Sequence, residues 1–189
     1  RSSDLGTSCH IGSLVESTAP YMSEIEVLSV FVNELLDRGI ALKHFDIGGG
    51  AGVAYKTDEK TLDPSELIPA VVAQIRSLVK IPDIEILIEP GRSIIAQAGV
   101  LLTRVEYLKS GLFERNFCVV DASMTELVRP AMYGSYHEIE PVSPRSDIEP
   151  ECLNIVGGVC ESSDILGSDR ELAVAPGDLL AIRTAGAYG

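Results

Sequence analysis

Strand-like and helix-like stretches alternate over the first ninety or so residues, and few folds accept that alternation. Ser8 to Ser13 reads as a strand end running into a turn. Ile25, Leu28, Phe31, Val32, Leu35 and Leu36 recur at helical spacing, which predicts an amphipathic helix from Pro20 to Arg38, stopped by Gly39. Lys43 to Ile47 reads as a short strand opening into the glycine loop Gly48–Gly52. Asp63, Pro64 and Glu66 then stand at N-cap, first-turn and capping positions. The stripe they introduce is Leu67, Ile68, Val71, Val72, Ile75, Leu78 and Val79. Pro82 follows its end, and Ile84 to Ile88 is a third strand. This order implies parallel strands joined by crossover helices, with polar residues collected at the carboxyl ends of the strands, where β/α barrels and open α/β sheets build their sites.

Beyond Arg92 the pattern changes. Gly99 to Leu108, Phe117 to Asp121, Cys152 to Val156 and Asp178 to Thr184 read as strands, with turns at Lys109–Gly111 and Pro176–Asp178. An antiparallel β domain is the expectation. Pro141 to Pro150, rich in Pro, Ser and charge, is the segment expected to be least ordered. The fold class is thus α/β followed by β, divided into residues 1–95 and 96–189.

Composition narrows the function. The 46% hydrophobic residues among 189 suffice for a packed core and argue against disorder. The formal net charge of −13 argues against a nucleic-acid partner, which needs a concentrated basic surface, but leaves room for a local anion site. No apolar run is long enough to span a bilayer, and no secretory signal is seen, so no membrane partner is expected. The cysteines at 9, 118, 152 and 160 lack metal-type spacing, which points to a reducing, cytoplasmic setting with no metal. The chain starts at Arg1 and stops at Gly189 without a terminal helix, as a piece of a longer protein would.

Several short stretches have chemistry to offer, each with a plain structural alternative. Gly48-Gly49-Gly50 allows backbone N–H groups to converge on a phosphate, or simply makes a tight turn. Glu89-Pro90-Gly91-Arg92 follows a strand; Arg92 forks onto an anion or pairs with Glu89. His10 with Ser13 suits ring stacking and phosphate donation, although a lone histidine is more often structural. His44 and His137 read as structural. Cys160 is a proton donor or a small buried hydrophobe, and Cys9, Cys118 and Cys152 read as the latter. Glu161 binds an ammonium group or is merely solvated. Arg129 and Tyr133 are four apart and share a face if that stretch is helical, an arrangement suited to a carboxylate. Tyr188 reaches a phosphate or packs in a core.

Taken in order, HIGS (10–13), DIGGG (46–50), EPGRSIIAQAGVLLTRVEYLK (89–109), VVDASMTELVRPAMY (119–133), VCESSDILGSDREL (159–172) and GDLLAIRTAGAYG (177–189) closely resemble the diaminopimelate decarboxylases. These are fold-type III pyridoxal 5'-phosphate enzymes related to ornithine decarboxylase and alanine racemase. The resemblance implies the C-terminal portion of a (β/α)8 TIM barrel followed by an incomplete C-terminal β domain. It implies that His10 stacks on the cofactor ring. Ser13, Gly48, Gly49, Gly50, the Glu89-Pro90-Gly91-Arg92 turn and Tyr188 would hold its phosphate, and Glu89 would face the pyridine nitrogen. By the same resemblance Arg92, Arg129, Tyr133, Glu161 and Tyr188 bind substrate, Cys160 is the catalytic proton donor, and a homodimer shares its active sites. The implied reaction converts meso-2,6-diaminopimelate to L-lysine and CO2. Leu14, Ser123 and Gly158 depart from the family's usual Gln, Gly and Pro. No lysine among Lys43, Lys56, Lys60, Lys80 and Lys109 matches the family's Schiff-base motif, so the 189-residue chain alone is expected to be inactive. The rival readings are an ornithine, arginine or carboxynorspermidine decarboxylase, and a non-catalytic homologue that binds a partner protein.

Overall fold

The computed structural model describes residues 5–40, 42–111 and 115–189. It divides into two compact units, Arg1–Ala54 with Lys60–Ile94, and Tyr55–Glu59 with Ile95–Gly189.

The first unit contains β1 (Gly6–Ser8), α1 (Ala19–Asp37), β2 (His44–Asp46), α2 (Pro64–Leu78) and β3 (Glu85–Leu87), and ends in the short helix α3 (Gly91–Ile95). The strands form one sheet in the order β1-β2-β3, and both pairings are parallel. Tyr21, Ile25 and Val32 from α1 and Leu67, Val71 and Ile75 from α2 close on Phe45, Ile47 and Ile84 in a single core. Asp63 caps α2 by accepting the Ser65 N–H at 2.8 Å, and Pro64 sits in the first turn, where its missing N–H costs nothing. Asn33 ties the two helices: its amide donates to Leu78 O at 2.8 Å and its carbonyl accepts from Lys80 N–H at 2.9 Å. Phe31, expected in the buried stripe, is 50% exposed. It lies about 240° around the helix from Ile25, whereas Val32 returns to the same face.

In the second unit β4 (Leu101–Lys109), β5 (Asn116–Val120), β6 (Ile139–Pro141), β7 (Glu151–Val156), β8 (Ile165–Leu172) and β9 (Leu179–Ile182) make one sheet in the order β6-β9-β4-β5-β7-β8. A short helix, α4 (Arg129–Tyr133), lies between β5 and β6. The sheet is mixed rather than antiparallel: β5 and β7 run parallel. Residues 121–150, which include α4 and β6, carry the chain back to the starting end of β5, the long crossover a parallel pair requires. Two strands escape sequence reading. The middle of β8 reads Gly-Ser-Asp-Arg-Glu, which hides any alternation, and β6 is a three-residue edge strand whose Pro141 has no N–H to offer a neighbour. The two ends of the sheet curl toward each other; a Cβ on Gly167 in β8 would lie 2.7 Å from the Ile139 side chain in β6.

Candidate functional site

The carboxyl ends of β1, β2 and β3 lie side by side, and the loops that follow them are laced together. Cys9 N–H donates to Asp46 O at 3.1 Å, and Glu89 N–H donates to Gly48 O at 2.7 Å. Gly48, at φ +67°, donates its N–H to the Asp46 carboxylate at 2.8 Å. Gly49 N–H donates to His10 Nδ1 at 3.2 Å, and the Tyr21 hydroxyl donates to Gly49 O at 3.0 Å. A side chain on Gly48 would collide with Cys9 O, and one on Gly49 with Glu89 O. The glycines are therefore required first by backbone meeting backbone. Arg92 Nη2 donates to Ser13 Oγ at 2.8 Å, so the first and third loops are joined by their side chains as well. His10, Ser13 and Glu89 remain exposed.

The second unit holds the other candidates. The helical turn expected at Arg129 and Tyr133 is present as α4, yet the two side chains do not share surroundings. Arg129 is 4% exposed and Tyr133 71% exposed. The Arg129 guanidinium donates to His137 Nε2 at 3.1 Å and lies 4.5 Å from the centre of the Tyr55 ring. Cys160 and Glu161 are exposed on the loop between β7 and β8. Asp164 organises that loop from beneath: its carboxylate accepts from Met124 N–H at 2.6 Å and Val159 N–H at 2.8 Å. Gly186 N–H donates to Ala96 O at 2.9 Å and Ala185 N–H to Gly99 O at 3.0 Å, which pins the run leading to the exposed Tyr188. Tyr188 itself adopts φ +60°, an uncommon conformation for a bulky residue.

Residues 13–186 match the model of the pyridoxal-dependent decarboxylase C-terminal sheet domain. The chain belongs to this family. It is 45% identical over 185 residues to the diaminopimelate decarboxylase of Neisseria meningitidis, an alignment covering 98% of the chain and 44% of that relative. Among solved structures, diaminopimelate decarboxylase from M. jannaschii aligns with a TM-score of 0.91 at 38% identity, over 98% of this chain and 42% of that one. The Helicobacter pylori diaminopimelate decarboxylase complexed with L-lysine aligns with a TM-score of 0.87 at 36% identity, over 98% and 44%. The chain thus spans less than half the length of the diaminopimelate decarboxylases it matches.

A pyridoxal-dependent family member needs a phosphate cradle, and the residues at the strand ends fit one. Ser13 Oγ accepts from Arg92, which leaves its own O–H to donate outward. The Gly50 N–H makes no bond to another described residue, and a Cβ at Gly12 or Gly91 would point into open space. The other two amides of the triplet are already taken, Gly48 by Asp46 and Gly49 by His10, so the donor set is smaller than three converging glycines. Beside the glycine loop lies an apolar cavity of about 240 Å³, lined by Tyr21, Ile47, Leu67 and Ile68 among others. None of His10, Ser13 or Arg92 lines it, and it lacks the charge to hold a phosphate.

Sequence reasoning passed over several residues that shape these loops. Asp46 stands two positions before Gly48, the spacing at which an Asp side chain bonds the backbone ahead of it. Ser123 and Glu126 form a reciprocal turn, Glu126 accepting the Ser123 N–H at 2.8 Å, and Ser-x-x-Glu is legible as a capping box. Glu24 is a buried carboxyl on α1 with no hydrogen-bond partner among the described residues. Burial holds it above the ordinary carboxylate range, and the Cys9 thiol, close by without full hydrogen-bond geometry, offsets this in part. Cys9 is pushed up in turn, chiefly by that carboxyl. Burial alone raises the Cys118 thiol to about 11 and leaves it inert.

Proposed function

We propose that the full-length protein decarboxylates meso-2,6-diaminopimelate to L-lysine and CO2 with pyridoxal 5'-phosphate. The observation that carries this is the lacing of His10, Ser13, Gly48–Gly50 and Glu89–Arg92 into one open, anion-suited rim at three adjacent strand ends, in a chain so similar to diaminopimelate decarboxylases. In this reading residues 1–95 are the C-terminal portion of a (β/α)8 barrel, with β1, β2 and β3 among its last strands, and residues 96–189 belong to an incomplete C-terminal β domain.

When bound, the cofactor supplies an electron sink for the pair released as CO2 departs. The protein's part is to hold and orient. Ser13, the Gly50 N–H and Arg92 grip the phosphate, with Tyr188 as a further donor. His10, whose ring is fixed by the Gly49 N–H, stacks on the pyridine face. Glu89 keeps the ring nitrogen protonated. The Cys160 thiol delivers a proton to the carbon that lost CO2. Glu161 pairs with the distal ammonium, and Arg92, Arg129, Tyr133 and Tyr188 address the carboxylates. Since plain lysine would leave a guanidinium without its carboxylate, the arrangement selects the dicarboxylate. Tyr133, Cys160 and Glu161 are exposed on their unit, which supports a homodimer in which they complete the partner's pocket. All four thiols are free, as in a cytoplasmic enzyme.

A decarboxylation panel on the cofactor-loaded full-length protein tests the proposal. CO2 release from meso-diaminopimelate is expected to exceed that from L-ornithine, L-arginine or carboxynorspermidine by at least about a hundredfold in kcat/KM. Equal rates on ornithine would overturn the substrate assignment. Inactivity toward the whole panel would favour the partner-binding homologue.

A further inference from the structure

We propose that His137 is the positioning residue for Arg129, and that it acts only as the tautomer with its proton on Nδ1. This rests on the reading that Arg129 meets a substrate carboxylate.

The local sequence brings the two side chains together. The helix α4 lasts one turn and ends at Gly134, which adopts φ +60° and returns its N–H to Pro130 O at 3.0 Å. Ser135 N–H then reaches back to Arg129 O at 3.4 Å. The chain reverses there, and His137 arrives against the guanidinium eight residues behind it. Its ring is completely buried.

Both ring nitrogens are engaged. Nε2 lies 3.1 Å from Arg129 Nη1, and Nδ1 lies 2.9 Å from Arg183 O. A guanidinium only donates and a carbonyl only accepts. The ring therefore has N–H at Nδ1 and a lone pair at Nε2. The other tautomer would set two donors against each other at one nitrogen and two acceptors at the other. A doubly protonated ring would add a cation next to a guanidinium.

Two further side chains pack around this pair. Tyr55 meets it edge-on, with centroids 5.1 Å apart and planes at 78°, and also covers the guanidinium. Tyr55 is held in turn by its N–H on Glu59 at 2.7 Å. From β8, Arg170 donates to His137 O at 3.1 Å while stacked 3.7 Å over the Tyr136 ring. An imidazole acceptor and a phenol face orient the Arg129 guanidinium, and unlike a carboxylate in the place of His137 they bring no negative charge to it.

The test uses the cofactor-loaded full-length protein with Arg129→Ala, His137→Leu, His137→Gln and the Arg129→Ala/His137→Leu double variant. In His137→Leu, KM for meso-diaminopimelate is expected to rise about tenfold, with kcat within about twofold. Binding of cadaverine, which has no carboxylate, stays unchanged. His137→Gln, which keeps an acceptor for Arg129, recovers most of the loss. The double variant behaves like Arg129→Ala alone, because the histidine acts through the arginine. Nitrogen chemical shifts of His137 at neutral pH are expected to show a proton on Nδ1 and none on Nε2. If Arg129→Ala raises KM while a folded His137→Leu does not, the positioning role is refuted and the carboxylate reading survives. If Arg129→Ala leaves KM unchanged, the carboxylate reading fails and the inference falls with it. Should His137→Leu not fold, a His137→Gln variant as impaired as Arg129→Ala, or a proton found on Nε2, overturns the proposal.

Discussion

A single side chain can set how a fold responds to pH, and Glu24 is placed to do so. Both of its oxygens are buried without a hydrogen-bond partner among the described residues, and burial raises its pKa. Below the ordinary glutamate pKa of about 4.3 the folded and unfolded chains both hold the proton, and the group contributes no difference. As pH climbs, the unfolded state loses that proton first, and the folded state must then ionise a carboxyl in a poor solvent. Stability therefore falls as pH rises through the folded-state value. Glu24→Gln, which cannot ionise, is expected to raise the melting temperature at pH 8 and to match the parent near pH 4. Equal melting temperatures at both pH values would show that the carboxyl is solvated. At this scale the sequence is a poor guide. Glu24 sits among Ser23, Ile25 and Glu26 with nothing to mark it as buried, whereas His10, Ser13 and Arg92 stood out because of the motifs around them. His137 offered no signal at all, since what defines it is a carbonyl forty-six residues away at Arg183.

Among the elements, local signals were readable and long-range pairings were not. Asp63-Pro64 announced α2, and Gly39, at φ +82°, ended the run after α1. β8 was invisible, because its polar middle is tolerated only by virtue of its place at the sheet edge. The parallel pairing of β5 with β7 depends on a crossover whose direction no residue pattern records. The loop from Gly157 to Asp164 shows what such patterns leave out. Cys160 and Glu161 attract attention, but Asp164 holds them, with a carboxylate 3% exposed that accepts two backbone N–H groups. Gly157 has no room for a side chain against Asp164 and Ser123, so the packing is tight from both sides. Asp164→Ala strands both N–H groups and should cost about 2–4 kcal/mol in a urea melt. A loss under about 0.5 kcal/mol would show that water replaces the carboxylate without penalty, and that the loop is not organised in this way.

For the molecule as a whole, the proposed function reads the chain as one part of an active centre. The first unit offers a rim suited to an anionic cofactor, and the second presents an exposed thiol, acid and phenol. The proposed homodimer gives both a purpose, since residues displayed outward by one copy would complete the pocket of another. Family membership was legible because motifs at many positions occur in one order. The use of each glycine was not, because the triplet serves backbone packing before it serves any ligand. The most direct measurement is a crystal structure of the full-length protein with pyridoxal 5'-phosphate. The phosphate is predicted within hydrogen-bond distance of Ser13 Oγ, the Gly50 N–H and Arg92, with the His10 ring against the pyridine face. A phosphate touching none of these residues, or lodged in the apolar cavity beside Tyr21, would contradict the account.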